Sequence, residues 1–306
     1  MNSRKRFLLW VLGGVMLGGI TSCSDNADTP VNPDEDVRVR RMTISQTEDT
    51  AETRQVQTRT TLTEDGGLTA SWTAGDGLTY CNLMRTQYNG NTYEPVYGNL
   101  TAVSTVAASQ FTGDVACKGG DYIAVVYPAT TFSTNESYTL SLTGQDGTLS
   151  TLATTFHYVF GKATVTSVTD ATANATMPKM KSLLTVCKFS FIDQDTSSPI
   201  PIQSLTISYG GSGSNAGTYP QSATVAIGVN TAQDDVHAAG IAGAGPLSVT
   251  CPTAQSSVYV ALLPTTGQRT FRFTVTNTSG TYTGTAKATL VEGEYVVATG
   301  LRLTKQ

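Results

Sequence analysis

The sequence predicts an all-β chain, two β-sandwiches in tandem behind a segment that exports and anchors them. Three observations carry this. Short apolar runs recur along the chain between Gly, Asn, Asp and Pro turns. Only one stretch has the 3.6-residue period of a helix. Charged residues make up 14% of the 306; Thr, which favours strands, and Gly, which favours turns, fill the gap.

The first element is a targeting signal. Arg4, Lys5 and Arg6 precede Phe7–Cys23, FLLWVLGGVMLGGITSC, a basic region followed by a short apolar one. The apolar run is shorter than the ~20 residues of a membrane span and is broken by Gly. Ile20-Thr21-Ser22-Cys23 fits the bacterial lipobox, so residues 1–22 read as a lipoprotein signal peptide and Cys23 as the lipid-bearing residue. Acyl chains there would hold the chain at a bilayer, each buried CH₂ adding about 0.8 kcal/mol. Residues 23–36, acidic and punctuated by Pro30 and Pro33, read as a flexible tether. Without residues 1–22 the chain keeps 16 Lys and Arg against 23 Asp and Glu, a net charge of −7. Nucleic acid, which asks for a basic stripe, is excluded as a partner.

Residues 37–176 form the first expected sandwich. Val39, Met42 and Ile44 suggest a short strand in a segment punctuated by Arg38, Arg40, Arg41, Arg54 and Arg59, with a polar loop over Gln46–Glu52. Ala70–Thr73 leads through the turn Ala74–Gly77 to a strand over Leu78–Arg85, and Asn89-Gly90 marks a hairpin. Tyr122–Tyr127 is nearly all apolar and should be buried on both faces, ending at Pro128. Tyr138–Leu142 is another strand. Leu149, Leu152, Ala153 and Phe156 follow helical spacing, predicting one or two turns close to His157. The polar stretch Thr166–Thr176 is the natural boundary.

Residues 177–306 form the second. Leu183–Ile192 places Cys187, Phe189 and Phe191 on one face, with Lys188 and Ser190 on the other. Leu205 and Ile207, then Val225, Ile227 and Val229, then Phe271, Phe273 and Val275 alternate with polar or small residues. Ser257–Leu263 is continuous and apolar. Glu292-Gly293-Glu294 turns the chain into Tyr295–Leu303.

Little in this pattern can do chemistry. His157 and His237 are far apart in sequence, and no nucleophile motif accompanies either; both read as surface or helix-end residues. Gly210–Gly217 is glycine-rich, but Pro220 and strand-like residues follow it instead of the helix a phosphate loop requires. It reads as a flexible loop. Neither zinc nor calcium spacing is present, so no cofactor or metal and no enzyme is expected. Cys81, Cys117, Cys187 and Cys251 show no disulfide framework and read as buried thiols.

The ordered landmarks resemble the fimbrillin (Mfa-like) family, the type V pilins and pilin-like lipoproteins of Bacteroidota. They are Thr58-Arg59-Thr60, Ser71–Asp76, Gly120–Pro128, Gln145–Leu149, Met177–Leu184, Val258–Pro264 and Gly293-Glu294-Tyr295. They cover nearly the whole chain behind the lipobox. Lys179 departs from the pattern, since many relatives have a histidine there. The resemblance implies two transthyretin-like β-sandwiches, with Trp72 a core anchor and Asp76 a turn residue. It implies a structural subunit or adhesin of a surface pilus, lipid-anchored at the outer membrane and then part of a fimbrium. Ser24-Asp25-Asn26 is similar to the acidic patches that send some lipoproteins of this phylum to the outer face.

Assembly, on the same resemblance, is by strand exchange. An Arg-specific protease removes the first strand, and a strand of another pilin subunit takes its place. The cut ranks at Arg54 first, Arg41 second and Arg59 third, because Arg41 abuts the first strand and Arg59 lies inside a landmark. Asp49-Thr50-Ala51 matches a short O-glycosylation pattern of the phylum, making Thr50 a candidate. Implied partners are other subunits, the protease, the membrane through its lipid and a host or bacterial surface receptor. The alternative reading is a surface lipoprotein that binds glycans and never polymerises.

One outcome tests the anchor. Cys23→Ala should release the protein from membranes or block its maturation, and metabolic labelling with a fatty acid should mark the wild type alone.

Overall fold

The computed structural model describes residues 36–47, 61–64, 68–89, 92–106, 108–212 and 214–306. The signal peptide, most of the tether, Cys23, Thr50, Arg54 and Arg59 lie outside the described residues. The chain is nearly all β, with two sheet domains, as expected, and Asp36–Gln306 forms one compact unit.

The first strands are β1 (Arg38–Gln46), β2 (Thr61–Glu64), β3 (Leu68–Ser71), β4 (Gly77–Asn89), β5 (Thr92–Ala102), β6 (Phe111–Cys117) and β7 (Tyr122–Tyr127). They are followed by β8 (Phe132–Thr134), β9 (Ser137–Ser141), helix α1 (Leu149–Thr151), β10 (Val159–Val168), β11 (Thr172–Met177) and β12 (Lys181–Ser182). Pairing runs β1-β6-β5-β4-β7-β10, and β11 bonds to both β10 and β1. The sheet is therefore closed, a barrel without a free edge along that ring. β1 lies antiparallel to β6 and parallel to β11. Trp72, fully buried, meets Phe111 and Tyr127 edge-on at 5.0 and 5.4 Å inside the barrel. It anchors the core. Asp76 turns the chain: its carboxylate accepts the Thr73 N–H at 2.5 Å.

β7 is apolar on both faces because both faces are inside. Ile123, Val125 and Tyr127 point into the barrel, while Ala124 and Val126 belong to a second core. Its neighbours follow suit. Leu78 and Tyr80 of β4 enter the barrel, and Cys81 and Leu83 enter the second core; on β10, Val159 and Phe160 divide the same way.

The second core is covered by β13 (Thr185–Asp193), β14 (Ile202–Tyr209), β15 (Ser222–Ala226), β16 (Ala238–Gly240), β17 (Leu247–Gln255), β18 (Val258–Leu262), β19 (Arg269–Asn277), β20 (Gly280–Ala288) and β21 (Tyr295–Lys305). The main sheet runs β17-β14-β19-β20-β21-β13-β18. Phe189 and Phe191 of β13 pack on Phe273 of β19, with ring centroids 5.2 and 5.6 Å apart. A smaller sheet, β16-β15-β9-β8, takes two strands from before residue 177 and two from after it, with Leu140 opposite Ala223 and Tyr138 opposite Val225.

β17 and β18 are the two ends of the main sheet, and the chain after β9 lies between them. Gln145 bridges to Val249, and its carbonyl accepts the Thr250 N–H at 3.1 Å. Its buried side chain acts as a second strand segment. The amide Oε1 accepts from the Ala261 N–H at 2.8 Å, while Nε2 donates to the carbonyls of Ala261 and Leu142, both at 3.0 Å. Gly147, at φ +78°, must be glycine: a Cβ there would stand 2.8 Å from Val258 Cγ1. Thr148 then caps α1, its side chain accepting the Thr151 N–H at 3.2 Å.

Helix α1 continues into a wider turn over Leu152–Phe156, burying Leu152, Ala153 and Phe156 as their spacing predicts. His157 ends it, yet is buried instead of exposed, because the chain turns inward there to start β10. The four described cysteines are free thiols, all buried. The first strand forms where Val39, Met42 and Ile44 suggested it, but the three do not share a face. Val39 is 69% exposed, since Met42 and Ile44 share their face with Arg40.

Gln145→Ala would strand buried groups of Ala261 and Leu142, and unsatisfied groups cost about 1–3 kcal/mol each. Urea unfolding should show stability reduced by about 2–5 kcal/mol, against under about 0.5 kcal/mol for Thr143→Ala on the exposed side.

Candidate functional site

The seat of β1 is where the sequence arguments and the fold meet. Alternation sends Arg40, Met42 and Ile44 into the barrel and leaves Val39 and Arg41 exposed, while Arg38 is exposed at the strand's first position. Opposite Met42 stand Gly113 on β6 and Ala173 on β11; Ala175 faces Ile44 on the β11 side. Small residues flank Met42 on both sides and Ile44 on the β11 side, while Phe111 faces Ile44 on β6.

Arg40 is 1% exposed and occupies the mouth of the barrel. Its Nε donates to the Thr169 carbonyl at 2.6 Å, and Nη1 donates to the Asp36 carbonyl at 2.9 Å and to the Cys117 carbonyl. Nη2 pairs with the Asp36 carboxylate at 3.0 Å. Burying a guanidinium is costly unless its donors are matched, and here carbonyls at the ends of β6 and β10 match them. Burial pushes the Cys117 thiol up, with the adjacent Arg40 charge working against that shift. Near the same mouth Asp121, fully buried, accepts from Arg85 at 2.8 Å and Asn82 at 2.8 Å. Burial opposes its ionisation, but these donors hold its carboxyl below the usual range.

Arg41 lies within β1, with its backbone N–H bonded to Ala171 O at 2.9 Å and its side chain 3.5 Å from Asp114. Arg38 pairs with Asp170 at 2.8 Å. The stretch 48–60, which holds Thr50, Arg54 and Arg59, lies outside the described residues, but both of its ends are tied down. Before it, Thr47 N–H donates to Met177 O at 2.8 Å. After it, the β2–β3 hairpin buries Leu62 and Leu68 in the second core.

Glu64 fastens that hairpin. Its carboxylate takes Lys188 Nζ at 2.6 Å, Tyr259 OH at 2.5 Å and Tyr295 OH at 2.7 Å, three partners from three strands of the second domain. These donors, Lys188 foremost, hold its carboxyl down to about 2, and Glu64 in turn raises Lys188. Neither Arg40 nor Glu64 stood out in the sequence. Arg40 had a signal, its i, i+2, i+4 spacing with Met42 and Ile44; Glu64 had none.

The remaining candidates do not converge on chemistry. His237 Nδ1 lies 2.9 Å from Glu292, which also takes Lys181 at 3.1 Å. Among the described residues no group of three or more His, Cys, Asp or Glu is placed to hold a metal ion, and no helix is long and apolar enough to cross a membrane. The glycine-rich loop leads into β15 without a helix and flanks an open, polar cleft of about 680 Å³ beside Tyr209, Arg269 and Thr270.

No known family model matches the chain, and no curated protein does. Solved structures similar to it include a candidate cell adhesion protein from Bacteroides ovatus, at 11% identity and TM-score 0.46, covering 88% of this chain and 96% of that one. The shaft pilin SpaA of Lactobacillus rhamnosus GG is 10% identical with TM-score 0.34, covering 88% and 98%. A streptococcal ancillary pilin is 11% identical with TM-score 0.31, covering 88% and 69%.

The Glu64 cluster has a pH signature. A carboxyl depressed in the fold stabilises it above its unfolded value of 4.5 and loses that contribution as pH falls through about 2. The stability gap between wild type and Glu64→Gln, from urea midpoints, should be constant from pH 7 to 5 and shrink between pH 4.5 and 2.

Proposed function

We propose that this chain is a fimbrillin-like subunit or adhesin of a surface pilus, exported as a lipoprotein through Cys23 and assembled by strand exchange after Arg-specific proteolysis. The observation that carries the reading is the seat of β1. It is a wall strand of a closed barrel, bonded on both edges, and the chain that follows it is held at both ends.

Protease clefts take an extended segment whose backbone is accessible. The bonds after Arg38, Arg40 and Arg41 lie in a strand paired with β6 and β11, so they are protected while the barrel is closed. This favours Arg54 over Arg41. Arg59 sits two residues before β2, close to the fastened hairpin, and ranks behind Arg54 as well. A cut after Arg54 would separate Cys23 and β1 from the rest in one step. Residues 37–176 would then be the module that exchanges its strand, and 177–306 the one that keeps its sheet intact.

The energetics fit. Met42 and Ile44, both fully buried, contribute about 1.5–3 kcal/mol each. Losing β1 also leaves the edges of β6 and β11 without partners, a template for a strand from another subunit. A glycan on Thr50 would fall in the same stretch as Arg54 and could shield it. The cleft beside Tyr209 and Arg269 favours one second reading, the non-polymerising lipoprotein that binds glycans there.

Limited digestion of the folded precursor with an Arg-specific protease decides between them. The expected product begins at Gln55 and forms filaments by electron microscopy. Arg54→Ala should resist both steps; if it is trimmed and polymerises like wild type, the assignment is wrong. An uncut monomer that binds on a glycan array supports the second reading.

A further inference from the structure

We infer that the β1 seat selects its occupant by a cation. It takes an extended strand with a long cationic side chain at one position and large apolar side chains two and four residues later, and it rejects strands without the cation. The inference rests on the strand-exchange reading and names the partner segment of that same site.

The geometry comes from what stays behind when β1 leaves. Thr169 O and Cys117 O belong to the barrel, whereas Asp36, the other partner of Arg40, precedes β1 and leaves with it. A purely apolar strand would take from both carbonyls the guanidinium donors they have here. An arginine fork reaches both at once, from Nε to one and from Nη1 to the other. Two residues on, Gly113 and Ala173 flank the position of Met42; two further, Ala175 flanks that of Ile44. Both flanking strands are small beside Met42; beside Ile44 only β11 is, since Phe111 faces it on β6. The outward positions impose nothing comparable. Val39 is 69% exposed, and Arg41 meets only exposed partners on β6, Thr112 Oγ1 at 3.3 Å and Asp114 at 3.5 Å.

Two measurements on the whole chain test this. In the intact protein, hydrogen exchange of the β1, β6 and β11 amides should accelerate at least about 10-fold in Arg40→Met, the size set by losing charged hydrogen bonds. Arg40→Lys should fall between, and Arg41→Met should match wild type. In the chain nicked by an Arg-specific protease with both fragments present, labelled peptides of sequence 37–46 compete for the seat. The wild-type peptide and the one changed at Arg41 should be taken up alike, and the one changed from Arg40 to Met at least about 10-fold less. If Arg40→Met exchanges like wild type in the intact chain, or its peptide enters equally well, the inference is overturned while strand exchange stands. If no peptide enters a nicked chain, the strand-exchange reading fails and takes the inference with it.

Discussion

The structure depends on one wall that is buried twice. β4, β7 and β10 present alternate side chains to the barrel and to the second core, so neither core can form without them. A strand with two apolar faces is stable only between two layers. That requirement forces the second sheet to sit against the barrel instead of hanging from a linker. The shared β16-β15-β9-β8 sheet and the Gln145 segment between β17 and β18 then follow as ways of satisfying backbone groups along the junction. The result is one compact unit from Asp36 onward.

This arrangement sets β1 apart from the wall that both cores share. In the ring β1-β6-β5-β4-β7-β10-β11, β1 lies on the far side from the doubly buried wall. Its inner residues touch only the barrel core, and its outer ones face solvent. Removing it would open the barrel and leave the second core untouched. The β2–β3 hairpin sits next along the chain with the opposite character, pinned by Leu62, Leu68 and Glu64 to the second domain. A cut between the two would free a strand at one end and leave an anchored hairpin at the other.

Much of the fold was legible because local pattern and burial coincide. Tyr122–Tyr127 announced burial on both faces, and Leu149–Phe156 announced a helix, since each signal lies within a few residues. The pairings of Glu64 were not legible: they join residues 124 to 231 positions apart, and no local period encodes that. Gln145 looked like part of a landmark of unknown purpose, because a side chain standing in for a strand has no sequence signature. Arg40 misled for a different reason. A charge is ordinarily read outward, and the strand was recognised from Val39, Met42 and Ile44 although Val39 lies on the opposite face from the other two. The apolar residues at i+2 and i+4 were the better guide, and they gain force only when carbonyls are there to receive the guanidinium.

A buried arginine in β1 needs a reason, since an apolar residue of similar size would often be no less stable. Register supplies one. Sliding β1 by one residue exchanges its faces. In one direction Arg41 would enter the mouth, but Thr43 and Ser45 would take the places of Met42 and Ile44. In the other, Val39 would face the two carbonyls and Arg41 would be driven into the apolar interior. Sliding by two puts either Met42 at the mouth, with no donor, or Arg40 in the place of Met42, with no acceptor. Only the observed register satisfies all three inward positions together. An apolar residue at position 40 would remove most of this discrimination, because the carbonyls of Thr169 and Cys117 would then lack a guanidinium in every register alike. The cost of burying Arg40 is thus the means by which β1 is held in one alignment.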